Sequence, residues 1–122
     1  MWRAAGQLDA ALTGRVLTVS DFRVPRYATT SLAGRAVTGT VPRGKHLLTR
    51  VEGGVTVHTH LRMDGSWRIG PPASSPARDH RIRLILANAE RQAVGYRLGI
   101  VEVLPTAAED RAVGHLDRKS VV

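Results

Sequence analysis

The chain has no cysteine among its 122 residues. A disulfide framework, a thiolate nucleophile, a cysteine-ligated zinc site and an iron–sulfur cluster are therefore excluded for this sequence. Long hydrophobic runs are also missing, because no apolar stretch approaches the ~20 residues that a membrane-spanning helix needs. The first residues are followed by Asp9 rather than by the apolar stretch of a secretory signal. We therefore expect no secretory signal and a cytoplasmic protein.

Acidic residues are scarce: 10 Asp and Glu stand against 18 Lys and Arg, for a formal net charge of +8. The excess is concentrated in residues 10–51, where Asp21 is the only acidic residue. The basic residues there are Arg15, Arg23, Arg26, Arg35, Arg43, Lys45 and Arg50. This distribution is typical of a surface that binds a polyanion such as nucleic acid. The alternative is a set of ordinary solvated arginines. A membrane surface is not favoured, because no helix with a basic amphipathic face is predicted.

Hydrophobic residues make up 43% of the chain, which is enough for a packed core in one domain. Helical spacing over residues 2–12 ends at Gly14, and a period of two dominates the rest. The predicted strands are Val16–Val19, Val37–Val41, Lys45–Val51, Val55–His60, Ser66–Ile69, Arg81–Leu86 and Ala93–Leu104. An exposed loop rich in proline and serine is predicted at 70–79.

The end of the chain carries a helix signal, since Thr106 followed by Glu109 forms a capping pattern for a helix through Leu116. Turn residues recur at regular intervals between the strands, as they do in sandwiches and barrels. We therefore predict a mainly β fold, a two-layer β-sandwich or flattened barrel of about eight short strands with flanking N- and C-terminal helices.

Two motifs suggest chemistry that their surroundings do not support. Residues 39–45 have the G-x-x-x-x-G-K spacing of a P-loop, but His46 replaces the required Ser or Thr, and a strand follows where a helix is needed. His58 and His60 share one face of a strand and could bind a metal, but the sequence shows no third ligand nearby. We therefore predict neither an NTPase nor a metal site, and no Ser/His/Asp set with nucleophile spacing appears.

Two short stretches are more informative. In RGKHLL at 43–48, Lys45 begins an apolar strand, where a rigidly held ammonium could grip a phosphate. In HLRMDGSW at 60–67, Met63 stands at the tip of a turn, where it could wedge into a base stack. The alternatives are an ordinary lysine at a strand end and a methionine that packs beneath its loop.

Taken together, these stretches resemble the N-terminal domain of the formamidopyrimidine-DNA glycosylase and endonuclease VIII family. The likeness is greatest to the endonuclease VIII-type enzymes of actinobacteria. It runs in the family's order from about Trp2 to Leu116, and three further segments carry it: WRAAGQLDAALTGRVLT at 2–18, DFRVPRY at 21–27 and GYRLGIVEVLP at 95–105.

The resemblance implies a bifunctional base-excision repair enzyme that acts on double-stranded DNA with oxidised bases or abasic sites. Such enzymes flip the damaged base, attack the sugar through an N-terminal proline amine and cleave the strand by β,δ-elimination. By position, Lys45 with Arg43 would bind DNA phosphate, and Met63 would fill the void left by the flipped base. Arg62, Arg97 and Leu98 would face the opposite strand. Leu98 stands where formamidopyrimidine glycosylases carry an aromatic, which favours the endonuclease VIII branch.

The two ends depart from the family pattern. We expect residues 1–116 to be the glycosylase β-sandwich domain without its first residues, and 117–122 to be an unrelated tail. The catalytic proline and glutamate, the helix–two-turn–helix domain and the finger with its zinc would then be absent. This predicts little or no lyase activity and no bound cofactor.

Two other functions stay open from the sequence, a non-catalytic damaged-DNA-binding remnant and a basic β-domain with a protein or RNA partner. The resemblance implies a bacterial, nucleoid-associated protein. A cleft face left without its second domain would favour self-association.

Overall fold

The computed structural model describes residues 2–61, 65–71 and 80–109. One helix, α1, spans Trp2–Leu12. Eight strands follow: β1 Val19–Phe22, β2 Val37–Arg43, β3 His46–Val51, β4 Val55–His60, β5 Ser66–Gly70, β6 Ile82–Ala87, β7 Gln92–Tyr96 and β8 Ile100–Pro105. Two 3₁₀ turns lie at Pro25–Tyr27 and Thr106–Ala108.

The strands form two antiparallel four-stranded sheets. The first sheet has the order β2-β3-β4-β8 and the second sheet the order β1-β6-β7-β5. The predicted mainly β, two-layer architecture is confirmed, as open sheets rather than a closed barrel. The N-terminal helix is confirmed as well, with the bounds that the spacing predicted.

The core lies between the sheets because successive side chains of each strand point alternately toward the other sheet and away from it. Leu47 and Val57 point inward from the first sheet, and Leu84 and Leu86 from the second, each at most 1% exposed. Helix α1 adds Leu8 and Leu12, two apolar residues one turn apart, to the same apolar cluster. Fully burying side chains of this size stabilises the fold by about 1.5–3 kcal/mol each.

Helix α1 is also tied to both sheets by polar contacts. The Thr40 N–H of β2 donates to Asp9 Oδ1 at 3.0 Å, and the Asn88 amide after β6 donates to the Ala11 carbonyl at 2.8 Å. Gly14 takes a φ of +81° just after the helix, a left-handed conformation that glycine adopts without strain. The predicted stop at Gly14 therefore has a physical basis.

Two strand predictions differ from the structure by more than two residues at one end. The first strand begins at Val19 rather than Val16, because Val16 makes only an isolated bridge to Ala36. The predicted strand Ala93–Leu104 is in fact two strands, β7 and β8, in different sheets. Arg97 interrupts it with a φ of +51°, which turns the chain from the second sheet to the first.

The capping contact predicted at the chain end is replaced by other contacts: the Thr106 hydroxyl lies 2.9 Å from that of Thr56, and Glu109 binds Arg50. Residues Thr106–Ala108 form a 3₁₀ turn. The remainder of the predicted helix, through Leu116, lies outside the described residues, as does most of the predicted 70–79 loop. In the described part of the chain, no helix is long and apolar enough to cross a membrane.

Candidate nucleic-acid interface

Lys45 lies in the two-residue turn between β2 and β3. Arg43 and His46 form the last strand pair, and Gly44 has a φ of +61° at the first turn position. A positive φ at the first position alone defines a type II′ turn, which matches the twist of the two strands and requires glycine there. Lys45 is the second turn residue and is exposed. Its ammonium therefore projects from a turn whose geometry is fixed by both strands.

Strand register brings three chain segments to the same end of the sandwich. His46 pairs with His60 and His60 with Ile100, and the Gly99 N–H donates to the His60 carbonyl at 2.7 Å. The Lys45 turn, Leu61 directly after β4 and the crossover 97–99 therefore lie together. We call this region the Lys45 end. The 52–54 turn, at the far end of β3, marks the opposite end of the first sheet.

Leu61 and Gly65, the described residues on either side of 62–64, are joined through their backbones. The Gly65 N–H donates to the Leu61 carbonyl at 2.8 Å, and Leu61 is 7% exposed. A Cβ at Gly65 would collide with the Leu61 backbone, so only glycine fits this close approach. Arg62 and Met63 lie outside the described residues, so their predicted roles stay predictions.

The crossover contains Arg97 and Leu98, the two residues predicted to face the opposite DNA strand. Arg97 is exposed, whereas Leu98 is 5% exposed in the core and lies against Gly95. A side chain at Gly95 would press on Leu98 and Trp67, so glycine makes room for them. The structure thus brings Arg97 to the Lys45 end, and Leu98 anchors the crossover.

A chain of hydrogen bonds crosses the outer face of the first sheet. His58 Nδ1 lies 2.6 Å from Glu102 Oε1, and His58 Nε2 lies 2.7 Å from His46 Nδ1. A carboxylate accepts, so His58 donates from Nδ1; with both rings neutral, His46 then donates to His58. His58 is 2% exposed. The first residue of β3, next to Lys45, is thereby tied to β8.

His60 completes this histidine cluster, since its ring packs edge-on against His46 with centroids 4.5 Å apart. The sequence singled out His58 and His60 but missed His46 and Glu102. His46 could have been found from the sequence, because a hairpin turn at 52–54 pairs His46 with His60 in the neighbouring strand. Among the described residues, no group of three or more His, Cys, Asp or Glu is arranged to hold a metal ion.

Farther along the same face, the buried carboxylate of Glu109 forms an ion pair with the partly exposed side chain of Arg50. Arg50 Nη2 donates to Glu109 Oε1 at 2.9 Å and Arg50 Nε to Oε2 at 3.0 Å. Thr56 Oγ1 donates to Oε2 at 2.5 Å. The Arg50 hydrogen bonds lower the pKa of Glu109, with further help from Thr56 and the charge of Arg43, against the opposing effect of burial. The same pair raises the pKa of Arg50. Glu109 therefore fixes the chain after β8 onto β3 and β4.

Comparison with known proteins gives the family. The profile of the formamidopyrimidine-DNA glycosylase N-terminal domain matches residues 3–97. A probable endonuclease 8 2 of Streptomyces coelicolor is 63% identical over 120 residues, which are 95% of this chain and 43% of that protein. The DNA-(apurinic or apyrimidinic site) lyase Nei2 of Mycolicibacterium smegmatis is 46% identical over 116 residues, 95% of this chain and 44% of that one.

A solved structure agrees with the fold. The Lactococcus lactis formamidopyrimidine-DNA glycosylase, bound non-covalently to DNA with an AP site, superposes with a TM-score of 0.74 at 20% identity. The match covers 88% of this chain and 44% of that one. This chain spans less than half the length of the curated relatives it matches. Because the profile matches residues 3–97, which are most of the chain, the chain belongs to the family of formamidopyrimidine-DNA glycosylase N-terminal domains.

Proposed function

We propose that this chain is the DNA-binding β-sandwich of an endonuclease VIII-type repair enzyme. Such an enzyme is a DNA glycosylase and AP lyase that removes oxidised bases and cleaves at abasic sites by β,δ-elimination. Family membership supports this, as do relatives named as an endonuclease 8 and as a DNA-(apurinic or apyrimidinic site) lyase. Since the chain spans less than half of those relatives, the whole enzyme's activity is part of the proposal.

One observation carries the proposal for this chain: the convergence of three segments at the Lys45 end. Lys45, the connection that contains Arg62 and Met63, and the crossover that contains Arg97 lie far apart in sequence. Strand register brings Lys45, Leu61 and Arg97 to one end of the sandwich. The proposal puts Arg62 and Met63 at the same end because they follow Leu61 in the chain. A duplex lying across this end would meet all three segments.

Each residue then has a physical task. Lys45, with Arg43 beside it, would neutralise a backbone phosphate, which releases counterions and makes binding depend on salt. Met63 would occupy the space of a flipped base, since flipping costs a few kcal/mol that inserted side chains must offset. Arg62 and Arg97 would contact the opposite strand, with Leu98 beneath them.

The test is the salt dependence of binding to a duplex that contains an abasic-site analogue. We expect Lys45→Gln to weaken binding about tenfold and to reduce the slope of log K against log salt by about 1, because one phosphate contact is lost. The matched control is Arg35→Gln, since Arg35 is exposed beside Gly53 at the opposite end of the sheet. Equal effects of the two substitutions would contradict a specific role for Lys45.

A second experiment separates the enzyme from the non-catalytic alternative, a damaged-DNA-binding protein. Borohydride reduces the imine that forms when an amine condenses with the aldehyde of an abasic site, leaving a covalent adduct. An adduct with an abasic duplex supports lyase chemistry within this chain. Preferential binding to that duplex without an adduct supports damaged-DNA binding without lyase chemistry in this chain.

A further inference from the structure

A second basic site lies on the outer face of the second sheet. Ser66 and Arg68 of β5 and Tyr96 of β7 point outward, while Trp67 between them points into the core. Ser66 and Tyr96 are direct partners in the register. Together with two more arginines they line a cavity of about 410 Å³, which we call the arginine pocket. Its lining residues are Ser66, Arg68, Arg81, Tyr96 and Arg97.

The pocket is built around the ring of Tyr96. The guanidinium carbons of Arg68 and Arg81 lie 5.7 and 5.6 Å from the ring centroid, within the range of cation–π attraction. The ring itself packs on an apolar cluster formed by Ile82, Ile85 and Val94. A fixed ring therefore positions two guanidinium groups in the same cavity.

The backbone adds a third guanidinium at the rim. Arg97 has a φ of +51°, a left-handed conformation that is uncommon outside glycine, and its N–H donates to the Arg81 carbonyl at 2.6 Å. Strained backbone of this kind is concentrated at binding and active sites. The hydrogen bond to the Arg81 carbonyl holds the Arg97 backbone beside that arginine.

The positive charge of the pocket favours an anionic ligand. Of the five described residues that line the pocket, three are arginines, and none of these five carries a carboxylate. Within the described ranges, neither Arg68 nor Arg97 forms an ion pair. The guanidinium fork matches the oxygens of a phosphate in geometry as well as charge, and the Ser66 hydroxyl offers one more donor.

The position of the pocket relates it to DNA. Arg97 begins the crossover to β8, so the pocket borders the Lys45 end. The pocket nevertheless opens on the outer face of the second sheet, whereas Lys45 lies at the end of the first sheet. Packed sheets lie about 10 Å apart. The two sites would therefore hold different phosphates. We propose, resting on the proposed function, that the arginine pocket binds a second backbone phosphate of the DNA duplex.

The experiment compares Arg68→Gln with the control Arg35→Gln, using an undamaged duplex over a series of salt concentrations. We expect Arg68→Gln to reduce the salt slope by about 1 and the affinity roughly three- to tenfold. Because the two phosphates are distinct, Arg68→Gln combined with Lys45→Gln should reduce the slope by about 2. Arg68 is exposed, so the melting temperature should stay near that of the parent chain. Arg81→Gln provides a second variant of the same pocket.

The outcomes separate this proposal from the proposed function. Binding that depends on Lys45 but is unchanged by Arg68→Gln and Arg81→Gln would overturn the pocket and leave the function intact. A parent chain without salt-dependent binding to any duplex would overturn both. If millimolar inorganic phosphate protects the parent chain thermally but not Arg68→Gln, while the DNA slopes are equal, the pocket binds free phosphate and the DNA proposal is wrong.

Discussion

At the scale of single residues, the outer face of the first sheet depends on buried polar groups that need their partners. Glu109 has a side chain that is 6% exposed and receives hydrogen bonds from Arg50 and Thr56. His58 lies between Glu102 and His46. Removing one partner leaves another buried group unsatisfied, which costs more than the net gain of an ordinary hydrogen bond.

Glu109→Gln should therefore lower the free energy of unfolding at neutral pH by about 1–3 kcal/mol. Because folding lowers the pKa of Glu109, its stabilising effect is fully present above the ordinary glutamate value of 4.5 and is lost as pH falls through the folded pKa. Urea unfolding at several pH values measures this. The difference between parent and variant should shrink with acidification, and a pH-independent difference would contradict the ion pair. Glu52→Gln, in an exposed turn, is the control.

His58→Ala should be more costly still, about 2–4 kcal/mol, because it removes the hydrogen bonds that His58 makes with His46 and Glu102 and opens a cavity. Thermal or urea unfolding provides the measurement, with His80→Ala as control since His80 is exposed. If both alanine variants were equally stable, the histidine chain would have no structural role.

At the scale of secondary-structure elements, the sequence predicted the elements whose bounds are set by residues within or next to them. Helix α1 has its apolar spacing and a terminal glycine, and β4 has the predicted bounds because the 52–54 turn supplies two glycines with positive φ. The crossover at Arg97 was missed, since alternation continues through it and a non-glycine residue gives no sign of a positive φ.

The predicted capping contact between Thr106 and Glu109 is replaced by other contacts for a different reason. Thr106 and Glu109 have the right spacing for a capping box, but both side chains have partners on distant strands. The Thr106 hydroxyl lies 2.9 Å from that of Thr56, and Glu109 binds Arg50. Tertiary contacts of this kind override a local pattern, and no window of sequence contains both partners.

At the scale of the whole molecule, the candidate interface is a product of topology. The residues at 43–48 and 60–67 could be singled out from the sequence, and so could the family that they resemble. Their meeting with the crossover could not be derived from spacing, because it depends on the pairing of β3, β4 and β8. The arginine pocket was missed for the same reason, since its arginines come from separate parts of the chain.

The most direct test of the central claim is to map the DNA-binding surface by backbone amide NMR, titrating the chain with a duplex that contains an abasic-site analogue. We predict shift changes at the Lys45 end, at residues 44–46, 61–66 and 96–99, and around the arginine pocket at residues 68 and 81, with none at the 52–54 turn. Shift changes centred on the 52–54 turn, or saturable binding that leaves the Lys45 end unperturbed, would contradict the account.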